Sequence, residues 1–305
     1  MTTDADTRRG LALGTLGVAM FALTLPMTRL AVGDAADPQL DPAFVTAGRA
    51  AVAGLLSAAW LAWWRVRPPA RAHWGLLALC ALGTVLGFPL FLALALREVD
   101  AMHAAVVTGV LPLATALIGA LVLRQRPSAG FWGCAVAGAA LVLAFAAWQG
   151  GGRLGVGDAW LLLAVLCAAG GYVAGARVSA VMPASQVICW VLVGSLPLTL
   201  PVSLVLLPDA STAPLRVSAW LGFAYVSVFS MWLGFFAWYR GLALGGVLRV
   251  SQVQLLQPFL ALLAAVPILG ERLDAVTLVF ALAVIAVVVI SRRTSVQTSA
   301  SAARA

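Results

Sequence analysis

Ten long apolar runs, separated by short polar or charged breaks, account for most of this chain. Each run approaches or exceeds the ~20 apolar residues that a helix needs to cross a bilayer. The breaks carry turn-forming or charged residues, as in the segments 34–38 and 65–71. The pattern therefore predicts ten membrane-spanning helices, spans 1 to 10, at residues 10–32, 42–64, 73–96, 101–123, 128–149, 157–178, 186–207, 217–240, 247–269 and 274–291.

Composition agrees with an all-α integral membrane protein. Of the 305 residues, 63% are hydrophobic and 10% are charged, against about 25% charged residues in soluble domains. A soluble enzyme and a nucleic-acid-binding module are therefore excluded. The net charge of +8 does not predict a nucleic-acid partner, because the arginines are scattered between apolar runs.

Arginine positions predict the orientation. With the N-terminus in the cytoplasm, 13 of the 19 arginines fall on the inner side and 5 in outer loops, while nine of the eleven acids fall outside. This follows the positive-inside rule. Both termini are therefore predicted to be cytoplasmic.

A weak internal repeat divides the chain. At an offset of 146 residues, Pro112 matches Pro258 and Arg126 matches Arg272, while Ser128 matches Asp274, both good helix N-caps. Since each half holds five spans, the second half must enter the membrane from the opposite side. The prediction is two inverted five-helix repeats, at residues 1–149 and 150–293, followed by a disordered cytoplasmic tail at 294–305. Transporters built this way bind substrate near the membrane midplane.

Proline near the middle of a span removes a backbone hydrogen bond and kinks the helix. Pro112 and Pro258 are therefore predicted as symmetric hinges or cavity walls. The alternative is that proline is simply common in membrane helices. Gly170 and Gly171 in span 6 are predicted either to permit close helix packing or to bend during gating.

The span count, the two halves and the arginine motifs 124–126 and 270–272 resemble the drug/metabolite transporter superfamily, EamA type. Arg49, early in span 2, adds to the resemblance. Within the superfamily the chain is most similar to YddG-like exporters of aromatic amino acids and related metabolites. One departure is Gln125, which stands where the second half has Glu271.

The resemblance implies a secondary transporter in the bacterial inner membrane, not an enzyme, that exports aromatic and other neutral amino acids by alternating access. A multidrug or other small-metabolite exporter is the alternative. Spans 1, 3, 4, 6, 8 and 9 would form the central cavity. The expected partners are a small-molecule substrate and the lipid bilayer, and the oligomeric state is left open, with a monomer plausible.

Acidic residues are missing from the middle of every predicted span. An intramembrane carboxylate is costly and functional by default, so its absence disfavours carboxylate-coupled antiport of cations. Neutral or zwitterionic solutes are favoured. The four cysteines and two histidines show no metal-ligand spacing, so neither a metal nor a cofactor is expected.

Polar residues within spans are candidate substrate ligands. Gln254 and Gln257 share one face of span 9, where an amide could hold a carboxylate or an amino group; the alternative is hydrogen bonding between helices. Arg49 could bind a carboxylate, snorkel to the outer interface or play a structural role. His103 is the one titratable group near the pathway suited to a switch near neutral pH. Weaker candidates are Met20, Thr24, Thr108 and Tyr172.

Aromatic residues on span 8 predict a wall for flat or apolar ligands. Phe229, Trp232, Phe236 and Tyr239 recur at helical spacing on one face, and Phe88 and Phe91 of span 3 are expected to oppose them. Trp232 is distinguished from the other tryptophans, which are predicted to lie near span ends as an aromatic belt. Packing or lipid contact is the alternative for the rest.

Overall fold

The computed structural model describes residues 4–122, 126–149, 151–209, 215–245, 250–293 and 296–297. In this part of the chain, eight helices are long and apolar enough to cross a membrane, and two shorter apolar helices follow. They coincide with the ten predicted runs, and the prediction of an all-α membrane protein is confirmed at this level. Their bounds are Ala5–Val32, Pro42–Trp63, Arg71–Glu98, Ala101–Val122, Ala129–Gln149, Val156–Ser179, Ala184–Val205, Val217–Leu242, Val253–Leu269 and Ala275–Ser291.

Several spans are assembled from shorter pieces. Span 1 contains helices Asp4–Ala22 and Thr24–Val32, and span 4 contains Ala101–Thr108 and Leu111–Val122. Span 3 runs through the 3₁₀-helix Arg71–His73, helix Trp74–Cys80, π-helix Ala81–Gly87 and helix Phe88–Glu98. Span 8 runs through helix Val217–Tyr225, π-helix Val226–Leu233 and helix Gly234–Gly245, and span 9 through the 3₁₀-helix Ser251–Leu256 and helix Gln257–Leu269. Helix Ala275–Arg293 forms span 10.

The strands are two residues long. Arg126–Pro127 pairs antiparallel with Val296–Gln297. Apart from this pair, the predicted tail at 294–305 lies outside the described residues. So does Gln125.

Side-chain caps explain where three spans begin. Asp41 accepts hydrogen bonds from the backbone nitrogens of Ala43, at 2.8 Å, and Phe44, at 3.2 Å, immediately before span 2. The two caps predicted from the repeat are confirmed. The Ser128 hydroxyl accepts from the nitrogen of Phe131 at 3.3 Å, and Asp274 accepts from that of Thr277 at 2.6 Å.

Spans of the predicted first half pack on spans of the predicted second half. Span 1 packs along span 8, and span 6 packs along span 3; spans 2 and 7 pack on each other, as do spans 5 and 10. The two π-helices start 145 residues apart and end 146 residues apart, close to the offset of the sequence repeat. Each π-helix therefore lies at the same place in its half.

Glycine permits the closest of these crossings. A Cβ on Gly17 would lie 3.0 Å from the backbone nitrogen of Trp238, where spans 1 and 8 meet. A Cβ on Gly171 would lie 2.9 Å from the backbone nitrogen of Thr84, where span 6 meets span 3. Backbone-to-backbone contact of this kind is how membrane helices gain packing contacts without a hydrophobic driving force.

Candidate substrate-binding site

A chain of buried polar side chains links three spans. The Arg49 guanidinium, 3% exposed, donates from Nη2 to the Ser230 hydroxyl at 3.0 Å. The Ser230 and Thr24 hydroxyl oxygens lie 2.7 Å apart and share a hydrogen bond. Spans 2, 8 and 1 therefore meet at a polar point within the apolar bundle. Thr24 was a weaker candidate from the sequence, and Ser230 was missed because a serine in an apolar run carries no distinguishing signal.

An aromatic cluster lies along span 8. The rings of Trp232 and Phe236 are 5.1 Å apart and edge-to-face, and Phe236 meets Trp60 of span 2 at 5.2 Å. Tyr239 follows on the same span and packs on the same core cluster as Trp232 and Phe236. The structure therefore brings together three of the predicted candidates: Trp232, Phe236 and Tyr239. Tyr172 of span 6 is partly exposed.

The predicted aromatic stripe does not hold over its full length. Phe229 lies inside the π-helix Val226–Leu233, whose i→i+5 hydrogen bonding widens the turn. It stacks on Tyr225 at 5.2 Å and is 42% exposed, while Trp232 packs with Phe236. The α-helical spacing assumed from the sequence fails at this point.

Phe88 and Phe91 do not oppose these aromatics as expected. Both pack against a different core cluster, which includes Leu92 and Leu96, and Phe91 stacks on Trp160 at 5.6 Å. Trp238 is also a correction to the predicted belt. It is 7% exposed and packs against Val18, because span 1 covers this face of span 8.

His103 has a partner that the sequence did not reveal. Its Nε2 lies 2.7 Å from Oδ1 of Asp158, and both residues are buried. Asp158 also accepts a hydrogen bond from the Gly155 nitrogen through Oδ2 at 2.8 Å. In the sequence Asp158 looked like one more acid at the end of a span. The pair joins span 4 to span 6. It lies beside a cleft of about 100 Å³ that is lined in part by Val107 and Val142.

Span 9 presents its amides from a tighter helix than expected. Gln254 lies in the 3₁₀-helix Ser251–Leu256, and Gln257 begins the α-helix that follows. Both are half-buried. Because residues i and i+3 of a 3₁₀ turn lie above one another, the two amides keep the shared face that the sequence predicts.

Both predicted hinge prolines follow interruptions in their spans. Pro112 is the second residue of helix Leu111–Val122, just after span 4 breaks at Gly109. Pro258 is the second residue of helix Gln257–Leu269, just after the 3₁₀-helix. Proline fits the first turn of a helix, where its missing N–H is not needed.

The remaining candidates make local contacts. The Met20 carbonyl accepts a hydrogen bond from the Tyr225 hydroxyl at 3.1 Å, and Thr108 donates to the Ala104 carbonyl of its own helix at 2.7 Å. Gly171 lies at the crossing with span 3, whereas a Cβ on Gly170 would meet nothing within 4 Å. Helix Val156–Ser179 runs through both glycines.

A second cleft, of about 450 Å³, lies at the end of span 2 that is predicted to be cytoplasmic. Arg65, Arg67 and Trp190 are among the residues that line it. None of the predicted substrate ligands does.

The ten apolar helices of the described residues point to a multi-pass membrane protein. The model of the EamA-like transporter family matches residues 8–148 and again residues 155–293, so the chain belongs to this transporter family. The resemblance to the drug/metabolite transporter superfamily is thereby confirmed. A family of transporters points away from an enzyme.

Known proteins of similar sequence and fold agree. The chain is 46% identical over 287 residues to a protein of Bacillus subtilis (strain 168) called "Uncharacterized transporter YdeK", covering 94% of this chain and 98% of that one. A solved crystal structure, 20% identical, matches with a TM-score of 0.58 and covers 93% of this chain and 98% of its own. The latter likeness shows a common fold.

Proposed function

We propose that this transporter exports aromatic and other neutral amino acids, and related metabolites, from the bacterial cytoplasm. The observation that carries the proposal is the cluster of Trp232, Phe236 and Tyr239. It gives flat apolar side chains a surface to stack on and supplies a phenolic hydroxyl for the polar end of the solute. Span 8 provides these residues, and Trp60 of span 2 packs on Phe236.

Alternating access between two inverted halves is the proposed mechanism. The double match of the family model supports a division near residue 150. The exchanged packing, with span 1 on span 8 and span 6 on span 3, supports a two-fold relation between the halves. Rocking of the halves would open the site first to one side and then to the other.

The proposed location is the bacterial inner membrane, with both termini in the cytoplasm. The Bacillus subtilis relative supports a bacterial setting, and the arginine distribution supports the orientation. Tagging each terminus with a reporter active on one side of the membrane would test the orientation.

Flux in proteoliposomes tests the proposed substrate. Purified protein is reconstituted, and counterflow of labelled tryptophan, phenylalanine, threonine and methionine is followed with and without a pH gradient. We expect saturable flux without a gradient, reduced several-fold by Trp232→Leu. The matched control is Trp132→Leu, which changes an exposed tryptophan on span 5 and should leave flux unchanged.

Two results would overturn the proposal. Lack of flux for all four amino acids, with flux of drugs instead, would favour the multidrug alternative. Flux that requires a proton gradient would overturn the expected gradient-independent transport and indicate proton coupling instead.

A further inference from the structure

We infer that Arg49, Ser230 and Thr24 form a binding site for the carboxylate group of the transported solute. The inference rests on the proposed function. The aromatic cluster would hold the side chain of the transported amino acid, and the site inferred here would hold its carboxylate. The site then has two parts, an aromatic wall along span 8 and a cation deeper in the bundle.

Arg49 is a buried cation with unused donors. Its Nε and Nη1 have no hydrogen-bond partner within the described part of the chain, so three of the five N–H donors of the guanidinium are free. Its hydrogen-bond partner there, the Ser230 hydroxyl, is neutral. A buried charge is strongly unfavourable unless it is paired, so this arrangement calls for an anion. Carboxylates match the guanidinium fork in geometry as well as charge.

A second unpartnered polar atom lies on the neighbouring wall. The Thr28 hydroxyl is fully buried and has no partner among the described residues. Thr28 lies one helical turn from Thr24, and residues four apart share a helix face. Span 1 therefore presents two hydroxyls on the face that reaches Ser230, and each hydroxyl can donate to a carboxylate oxygen.

The position within the fold is that of a substrate site. Arg49 lies seven residues after Pro42, where span 2 begins, which is about 10 Å along the helix. Spans 1 and 2 belong to the predicted first half and span 8 to the second, so the network spans the interface where inverted-repeat transporters bind substrate. Ser230 lies in the π-helix Val226–Leu233, and π-bulges occur frequently at functional sites.

The second half shows that the scaffold does not need a cation here. At the predicted repeat offset of 146 residues, the counterpart of Arg49 is Ser195 on span 7. Ser195 is buried and donates to the Leu192 carbonyl of its own helix at 2.7 Å. A neutral side chain that is satisfied within its own helix therefore fills this position in one half, and the arginine in the other half has a different purpose.

Ligand-induced thermal stabilisation of the full-length protein in detergent tests the site. The probes are phenylalanine, phenylalanine amide and 3-phenylpropionate. The amide replaces the carboxylate by a neutral carboxamide, and 3-phenylpropionate keeps the carboxylate but lacks the amino group. We expect phenylalanine and 3-phenylpropionate to bind at least tenfold more tightly than the amide. Arg49→Gln should abolish this preference, and Arg49→Lys should retain part of it. The control Arg216→Gln changes an exposed arginine and should bind like the wild type.

The outcomes separate this inference from the proposed function. Phenylalanine binding that is equal to that of the amide, or a preference that survives Arg49→Gln, would overturn the carboxylate site and leave amino-acid transport standing. Arg49-dependent binding of 3-phenylpropionate without binding of phenylalanine would uphold the site and overturn the amino-acid substrate. If Arg49→Gln does not fold, Ser230→Ala and Arg49→Lys test the site in its place. A preference for the carboxylate probes over the amide that is unchanged in both variants would also overturn the site. Binding of none of the three probes overturns it as well.

Discussion

His103 on span 4 and Asp158 on span 6 form a buried pair, with Nε2 and Oδ1 2.7 Å apart. The pair joins the fourth span of the predicted first half to the first span of the predicted second half. Phe145 of span 5 packs on the imidazole, with ring centroids 5.1 Å apart. Span 4 therefore cannot move away from span 6 without separating these two side chains.

Removing one member of this pair should be destabilising. We expect Asp158→Ala to lower the free energy of unfolding by about 1–3 kcal/mol, because it leaves a buried polar nitrogen of His103 without its hydrogen-bond partner. Chemical unfolding in detergent measures the change. A double-mutant cycle with His103→Ala isolates the coupling, and strictly additive effects would contradict it. His73→Ala, at a half-exposed histidine, is the matched control.

Adjacent glycines on span 6 should respond in opposite ways to alanine. Gly171→Ala places a Cβ 2.9 Å from the Thr84 backbone nitrogen and 2.7 Å from its side chain, so it should cost about 1–3 kcal/mol. Gly170→Ala meets open space and should stabilise the helix by about 0.5–1 kcal/mol. Thermal unfolding of both variants checks the order. If Gly170 is also the predicted hinge, Gly170→Ala will slow flux although the protein is more stable.

Glu271 should make stability depend on pH. Its carboxylate accepts hydrogen bonds from the nitrogens of Ala101 and Met102, at 2.7 and 2.8 Å, where span 4 begins. Burial nevertheless raises the pKa of Glu271 above its usual value. The folded protein therefore binds this proton more tightly than the unfolded chain, and stability falls as pH rises from the usual glutamate pKa through the raised one.

Glu271→Gln should remove this part of the pH dependence, because glutamine does not titrate. Thermal unfolding between pH 4 and pH 7 compares the two slopes. A variant slope identical to that of the wild type would mean that other groups cause the dependence.

The Trp232 indole should contribute a hydrogen bond to the solute. Its Nε1 is buried without a partner within the described residues. Trp232→Phe should therefore raise the KM of counterflow by roughly two- to tenfold, the equivalent of one hydrogen bond of about 0.5–1.5 kcal/mol. Trp190→Phe is the matched control, since its Nε1 is equally buried and unpartnered but lies outside the aromatic cluster. Equal KM values for both variants would assign Trp232 to packing alone.

The sequence by itself determined the membrane class, the ten spans and the family. Hydrophobicity is summed over some twenty residues per span, so the signal survives errors at single positions. The caps Ser128 and Asp274 were also predictable, because a cap bonds to backbone only three residues away. The match of Pro112 to Pro258 at an offset of 146 residues likewise comes from the sequence alone.

Only the tertiary structure decided which polar residues meet. Arg49 and Ser230 are 181 residues apart in the chain, and His103 and Asp158 are 55 apart. Periodicity assigns a residue to a helix face but does not choose the neighbouring helix. It also assumed an α-helical turn through Phe229, where the chain forms a π-helix and this ring stacks on Tyr225. Packing between distant segments sets these contacts, and apolar spans of similar composition do not encode their partners locally.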